Sequence, residues 1–209
     1  MTGTFVGYDP GGNGAHGLAA LEVAAGRPVA VRVETLPDVE AVLRRIEAVD
    51  GLVGIGVDTL TCWSTGPSGW RPADRWLRAR YPEVQRSVAS PNTLYGSMSL
   101  SGMAVLVALR QSCPDLLVTE THPKVLRWAV WGRRYRYTDE APGMDDDLSA
   151  SIGVLVRTAN DHEWDAAVSA HAAVCAHAGT WPYDLHQTPT AEGERLVSLC
   201  GPTRYAWPD

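Results

Sequence analysis

Three carboxylates stand at the ends of runs that read as β-strands. Asp9 closes residues 4–9 (TFVGYD), Asp58 follows the apolar run 52–57 (LVGIGV), and Glu120 lies near the end of 115–121 (DLLVTET). A fourth acid, Asp165, lies one turn into a long helical segment, with Asp161 four residues earlier on the same face. Open α/β sheets carry their ligand sites at the carboxyl edge of parallel strands. If the strands ending in Asp9, Asp58 and Glu120 are parallel neighbours, these acids share that edge. Carboxylates gathered there repel one another and hold protons unless a cation offsets them. Hard divalent cations such as Mg²⁺ or Mn²⁺ prefer oxygen ligands. Two such ions about 4 Å apart can activate a water and stabilise the leaving oxygen of a phosphodiester, with no histidine or cysteine nucleophile. Each acid also has a plainer role, as a turn or cap residue. Asn160 with Glu163 has the spacing of a capping box, which would make Asp161 a first-turn partner of the helix dipole.

Basic residues are the second chemical feature. Lys124 is the only lysine, so arginine supplies the other cations; codon bias explains this as readily as a need for guanidinium groups. Arg75 and Arg78 lie in PADRWLRARYP, where Asp74 and Arg78 have the spacing of an intrahelical ion pair. Arg127, Arg133, Arg134 and Arg136 interleave with Trp128, Trp131, Tyr135 and Tyr137. Arginines among aromatics suit single-stranded nucleic acid, by phosphate contact and base stacking; a helix with a Trp-lined core face produces the same string. Arg75, Arg78, Arg133, Arg134 and Arg136 are the candidate substrate contacts. His122 either moves a proton beside Glu120 or bonds a backbone carbonyl at the strand-to-helix turn.

The elements that must position these residues follow from periodicity. Residues 4–9, 16–23 and 28–34 read as a meander of three strands, the first ending at the turn Pro10-Gly11-Gly12-Asn13-Gly14. Val39, Val42, Leu43, Ile46 and Val49 recur at the helical period after Pro37. The run 52–57 suits a strand buried on both faces. Residues 61–72 read as a loop, 73–81 and 97–111 as helices, 115–121 as a strand, and Pro123 as a helix start. The acidic stretch 138–147 reads as a loop, followed by helices at 147–157 and 161–178. A Pro- and Trp-rich tail begins at Gly179, with one strand at 195–199. Antiparallel hairpins followed by alternating helices and strands imply a mixed α/β sheet with helices on both faces.

The segments FVGYDPGG, GIGVDTL, PADRWLRARYP, LLVTETHPKVL and DHEWDAAVSAHAA, in this order, resemble a family of predicted nucleases with a ribonuclease-H-like fold. The resemblance covers most of residues 4–178. It implies a five-stranded mixed sheet whose second strand is antiparallel to the rest. It also implies a metal site built from Asp9, Asp58, Glu120 and Asp165 and a nucleic-acid substrate; two Mg²⁺ or Mn²⁺ ions are expected there, and Asp161, on the same helix stripe as Asp165, is an expected alternate or supporting ligand. The acidic stretch 138–150 and the glycine-rich turn after Asp9 depart from that family's pattern.

The 209 residues suit one domain, with a core at 4–178 and an extension at 179–209. A net charge of -6 excludes coating of nucleic acid by bulk charge. No apolar run reaches the roughly 20 residues of a membrane span. The N-terminus shows no secretory pattern, so a cytoplasmic location is expected. Cys62, Cys113, Cys175 and Cys200 form no CxxC pair, so a structural zinc site is not expected. Two other functions compete with a nuclease. GYDPGG resembles the phosphate-binding hairpin of actin-like kinases, but the chain has no second glycine-rich phosphate loop after Asp58 and no late adenosine-binding GG pair. A non-catalytic interaction domain that keeps the fold is consistent with the acidic charge.

Overall fold

The computed structural model describes residues 1–12, 14–89 and 96–208; Asn13, the fourth residue of the expected glycine-rich turn, lies outside the described residues. Strands β1 (Gly3–Asp9), β2 (His16–Ala24) and β3 (Arg27–Leu36) form the meander, followed by α1 (Val39–Glu47) and β4 (Leu52–Val57). A two-residue β5 (Trp63–Ser64) precedes α2 (Pro72–Arg80), a 3-10 turn (Pro82–Ser87) and α3 (Gly96–Ser112). Then come β6 (Leu117–Glu120), α4 (Pro123–Trp131), α5 (Tyr137–Ile152) and α6 (Asp161–Ala178). The last residues add β7 (Tyr183–Asp184), β8 (Leu196–Val197) and β9 (Ala206–Trp207).

The main sheet has the order β3-β2-β1-β4-β6. β2 pairs antiparallel with both neighbours, and β1, β4 and β6 are mutually parallel. This is the five-stranded mixed sheet that the sequence resemblance implies, with β2 alone reversed. One face of the sheet packs Val6, Tyr8, Ile55 and Val57 against Val42 and Ile46 of α1 and Val105, Leu106 and Leu109 of α3. The other packs Phe5 and Leu21 against the alanine-rich inner side of α6, with α4 and α5 beyond it.

Local chemistry explains the elements that hold the site. Asp38 caps α1, accepting from the Ala41 amide at 2.7 Å, and Asn160 caps α6, accepting from the Glu163 amide at 3.0 Å. α6 lies close on the sheet because the strand residues facing it include the glycines Gly7, Gly17 and Gly56. A Cβ at Gly7 would stand 1.8 Å from the Ala166 carbonyl oxygen, and one at Gly56 would stand 1.9 Å from that of Ser169. No side chain fits there, so these positions set the depth at which the helix rides.

The sequence reading of residues 138–157 is corrected. Residues 138–147 are not a loop but the first part of α5, which kinks at Glu140 and carries Pro142 just after the kink. There proline's missing N–H costs little, as at any first helical turn, and Met144, Leu148 and Ile152 recur at the helical period to bury the inner face. The helix expected at 147–157 therefore ends at Ile152, capped by left-handed Gly153. The tail is built into the body: the Arg204 amide and carbonyl bond the backbone of Val118 and Glu120 on β6, and buried Trp207 donates to Tyr81 Oη at 2.9 Å. Among the described residues no helix is long and apolar enough to cross a membrane.

Candidate metal centre and nucleic-acid cleft

Register and pleat decide which acids meet. Tyr8 lies opposite Val57, and Val57 opposite Glu120, so all three point to the face covered by α1 and α3. Asp9 and Asp58 are one residue further on and point to the α6 face, two residues beyond Gly7 and Gly56. The first turns of α6 arrive on that face. His162 Nδ1 bonds Asp9 Oδ2 at 2.6 Å, and Ser169 Oγ bonds Thr121 Oγ1 of the loop after β6 at 2.7 Å. Asp165 lies between them along the helix, almost wholly buried, and its Oδ1 has no hydrogen-bond partner among the described residues.

The three acids act on one another. Burial, and then the charge of Asp9, raises the carboxyls of Asp58 and Asp165 well above their usual range, and Asp58 pushes Asp165 further. Burial raises Asp9 as well, against the opposing pull of His162. Lys124, exposed at the start of α4, is the cation whose field lowers all three. Carboxylates with raised proton affinity have the charge that a divalent cation would offset, although among the described residues Asp9, Asp58 and Asp165 do not bring three ligand atoms within 4.8 Å of one another.

A pH dependence follows from these shifts. An acid whose folded pKa is raised contributes stability below its unfolded value, near 3.8 for Asp, and loses it as pH rises through the folded value. His162, raised first by its bond to Asp9, works in the same direction. In EDTA the melting temperature is therefore expected to fall as pH rises from about 4 through neutrality, and millimolar Mg²⁺ to reverse that slope. A flat or rising profile in EDTA contradicts the repulsion. Asp58→Asn should flatten the wild-type slope.

No family model and no curated protein matches the chain. Among solved structures it is similar to RuvC of Thermus thermophilus, with 19% identity over 85% of this chain and 97% of that chain, at a TM-score of 0.40.

Glu120 is the main correction to the expected set. It reaches the expected edge but faces the other side of the sheet, and its oxygens are already engaged. Arg71 Nη1 and Nη2 donate to them at 2.8 and 2.6 Å, and the Thr61 amide and hydroxyl each donate at 2.9 Å. His186 Nε2 lies 3.4 Å away. Burial opposes ionisation of Glu120, but Arg71 outweighs it and holds the carboxyl far below the usual range. Arg71 also pairs with Asp74 at 2.7 Å, which replaces the expected Asp74–Arg78 pair. Cys62, Glu120 and His186 bring ligand atoms within 4.8 Å of one another. A cation does not suit that cluster, because Arg71 Nη1 already stands 2.8 Å from Glu120 Oε2 and 3.8 Å from Cys62 Sγ. Burial disfavours the charged form of His186, but its bonds to Cys62 and Glu120 prevail and push it up to about 10. The cluster is thus two acids balanced by two bases, and it locks the loop that follows Asp58.

The arginines divide in the same way. Arg75 donates to the Trp70 carbonyl and to Glu194, and Arg78 to the carbonyls of Gln85 and Val88, so both bind the protein itself rather than facing a substrate. Arg127 is buried against Asp147 at 2.6 Å, and Arg133 meets the same carboxylate at 3.1 Å. Arg134 and Arg136 remain exposed. With Lys124, Arg86 and Tyr135 they line a cleft of about 550 Å³, and Lys124 is the lining residue whose field reaches Asp9, Asp58 and Asp165. Asp161 makes no hydrogen bond among the described residues; His162 is the residue of that turn that touches Asp9. His122 takes the plainer of its two expected roles, its Nε2 donating to the Ser87 carbonyl at 3.0 Å.

Sequence reasoning missed two residues here, His162 and Arg71. His162 stands three residues before the expected Asp165 on one helix face, a legible spacing. Arg71 gave no signal, since nothing in the sequence separates a buried guanidinium from an exposed one.

Proposed function

We propose that this protein is a divalent-metal-dependent nuclease, with Asp9, Asp58 and Asp165 holding two Mg²⁺ or Mn²⁺ ions. The observation that carries the reading is the mutual repulsion of these three carboxylates, one with a buried oxygen unpaired among the described residues, under the field of Lys124, which also lines a basic cleft. Bound there, the ions would supply charge for the scissile phosphate and a more acidic water. The chain supplies the rest. Lys124, Arg134 and Arg136 bind the phosphates of the incoming strand, and Tyr135 offers a ring on which a base can stack. Asp9 fixes the imidazole of His162, which holds a proton beside the cluster. Glu120, in place of ligating metal, anchors Thr61 and so fixes the loop that carries Asp58.

The test is cleavage of end-labelled single-stranded, duplex and branched nucleic acids by metal-stripped protein with added Mn²⁺ or Mg²⁺. Cleavage that needs the metal and stops in EDTA is expected. Arg134→Ala and Arg136→Ala should each raise KM several-fold and lower the salt dependence of binding by about one counterion. The non-catalytic reading gains from one observation, the complete neutralisation of Glu120 by Arg71. Absence of Mn²⁺ binding at millimolar concentration would favour it. Turnover of ATP without cleavage of nucleic acid would favour the phosphotransferase.

A further inference from the structure

The four residues 133–136 join α4 to α5 without regular structure. Arg134 and Arg136 are exposed, while Tyr135 between them is half-buried with its hydroxyl oxygen sealed from solvent. Its ring stands across that of Trp164 on α6, with 5.5 Å between centroids, and Lys124 Nζ lies over it at 5.4 Å. These contacts fix the ring from two sides, beside the helix residue that precedes Asp165.

The hydroxyl has a use that the ring contacts do not supply. Neither Tyr135 Oη nor Asp165 Oδ1 makes a full hydrogen bond among the described residues, and both are buried. The two are complementary, because a phenol has one proton to give and an ionised carboxylate only accepts. They are also neighbours. Burial and the nearby acids raise the carboxyl of Asp165, and the Tyr135 hydroxyl opposes them, as a donor to the charged form does. Burial, and then Asp165 itself, keeps the phenol protonated. Unpaired buried polar atoms are rare in folded proteins, and these two satisfy each other with no third group.

We infer that Tyr135 is a positioning residue for the metal centre: its hydroxyl donates to Asp165 Oδ1 and leaves the other carboxylate oxygen for the ion. This rests on the metal reading above and deepens it. It also ties the cleft to the centre, because Tyr135 reaches Asp165 from the same short segment that carries Arg134 and Arg136. Partners of this kind orient a metal ligand, and losing one costs about 10–100-fold in metal affinity or activity.

The experiment compares wild type with Tyr135→Phe. Phenylalanine keeps the ring, its contacts with Trp164 and Lys124, and the face offered to a base; only the hydroxyl is lost. Mn²⁺ affinity, read from the electron paramagnetic resonance signal of the free ion, should fall about tenfold or more. Affinity for a labelled single-stranded oligonucleotide in EDTA should stay that of wild type. In cleavage kcat should fall while KM holds. Tyr135→Leu, which loses the ring as well, should show the same loss of Mn²⁺ affinity and in addition weaker oligonucleotide binding. Equal Mn²⁺ affinity in wild type and Tyr135→Phe overturns the inference and leaves the metal reading standing. A parallel loss of Mn²⁺ and oligonucleotide affinity in Tyr135→Phe, with a lowered melting temperature in EDTA, marks Tyr135 as a structural residue and also overturns it. Failure of wild type to bind Mn²⁺ at millimolar concentration removes the metal reading, and the inference with it.

Discussion

Asp165→Asn is expected to reduce metal-dependent cleavage by at least about a hundredfold, the scale lost when one preorganised electrostatic contact is removed from an active site, while the metal-free protein becomes no less stable. The side chain is almost wholly buried against α6's neighbours, with Oδ1 unpaired, and the charges of Asp9 and Asp58 push its carboxyl up. Asparagine keeps the volume and removes the charge, so the repulsion goes and the packing stays. In a chain of this size each kilocalorie per mole relieved raises Tm by about 2–4 °C. The two readouts must therefore move apart: activity down, and melting temperature in EDTA level or up. Stabilisation by Mn²⁺ should also disappear in the variant. Unaltered cleavage would falsify the assignment of Asp165 to the metal centre. A large loss of stability in EDTA would instead mark Asp165 as a structural residue whose charge the fold needs.

Arg71→Met is expected to be the most destabilising single change in the polar interior. Arg71 is 2% exposed and binds Glu120 through Nη1 and Nη2 and Asp74 through Nε and Nη2. Methionine fills much of the space but leaves two buried carboxylates facing each other. Removing one partner of a buried ion pair costs about 3–5 kcal/mol, which in a chain of this length is about 6–20 °C in Tm. The loss should depend on pH. Wild-type Glu120, with its folded pKa depressed, contributes stability that is full above the ordinary value of 4.5 and fades only as pH falls toward the folded one. In Arg71→Met the freed carboxyl takes up a proton in mild acid and its penalty disappears. The gap between variant and wild type should therefore narrow from pH 7 to pH 4, as read by urea denaturation at each pH. Adding Glu120→Gln to Arg71→Met should recover part of the loss at neutral pH. A gap independent of pH would show that Arg71 acts by packing alone.

Much of the architecture was legible along the chain. The apolar run before Asp58 could only be a strand buried on both faces, and the parallel neighbours of β1 followed from hairpins giving way to alternating helices and strands. α6 was bounded correctly because Asn160, the apolar period and Gly179 are local signals, read from a few consecutive residues. α5 was hidden by the same kind of signal: Pro142, Gly143 and the acidic run suggest a loop, and only the packing of Met144, Leu148 and Ile152 against the body overrides them.

The candidate site divides along the same line. The sequence by itself placed Asp9, Asp58 and Glu120 at strand ends, with parallel pairing expected from the alternation of helices and strands, because that needs only the order of elements. It could not determine which of them share a face. DLLVTET shows no alternation, so the pleat that turns Glu120 toward Val57, and Thr121 toward Ser169, is set by register with β4. Nor could it show that Arg71, from a loop far away in the chain, would neutralise Glu120, or that Gly7 and Gly56 would let α6 descend until His162 and Asp165 reach the level of Asp9. Strand direction is a property of the chain's local order. Which charges meet, and which are left unpaired, depends on distances between elements remote in sequence, and only the packed structure fixes those.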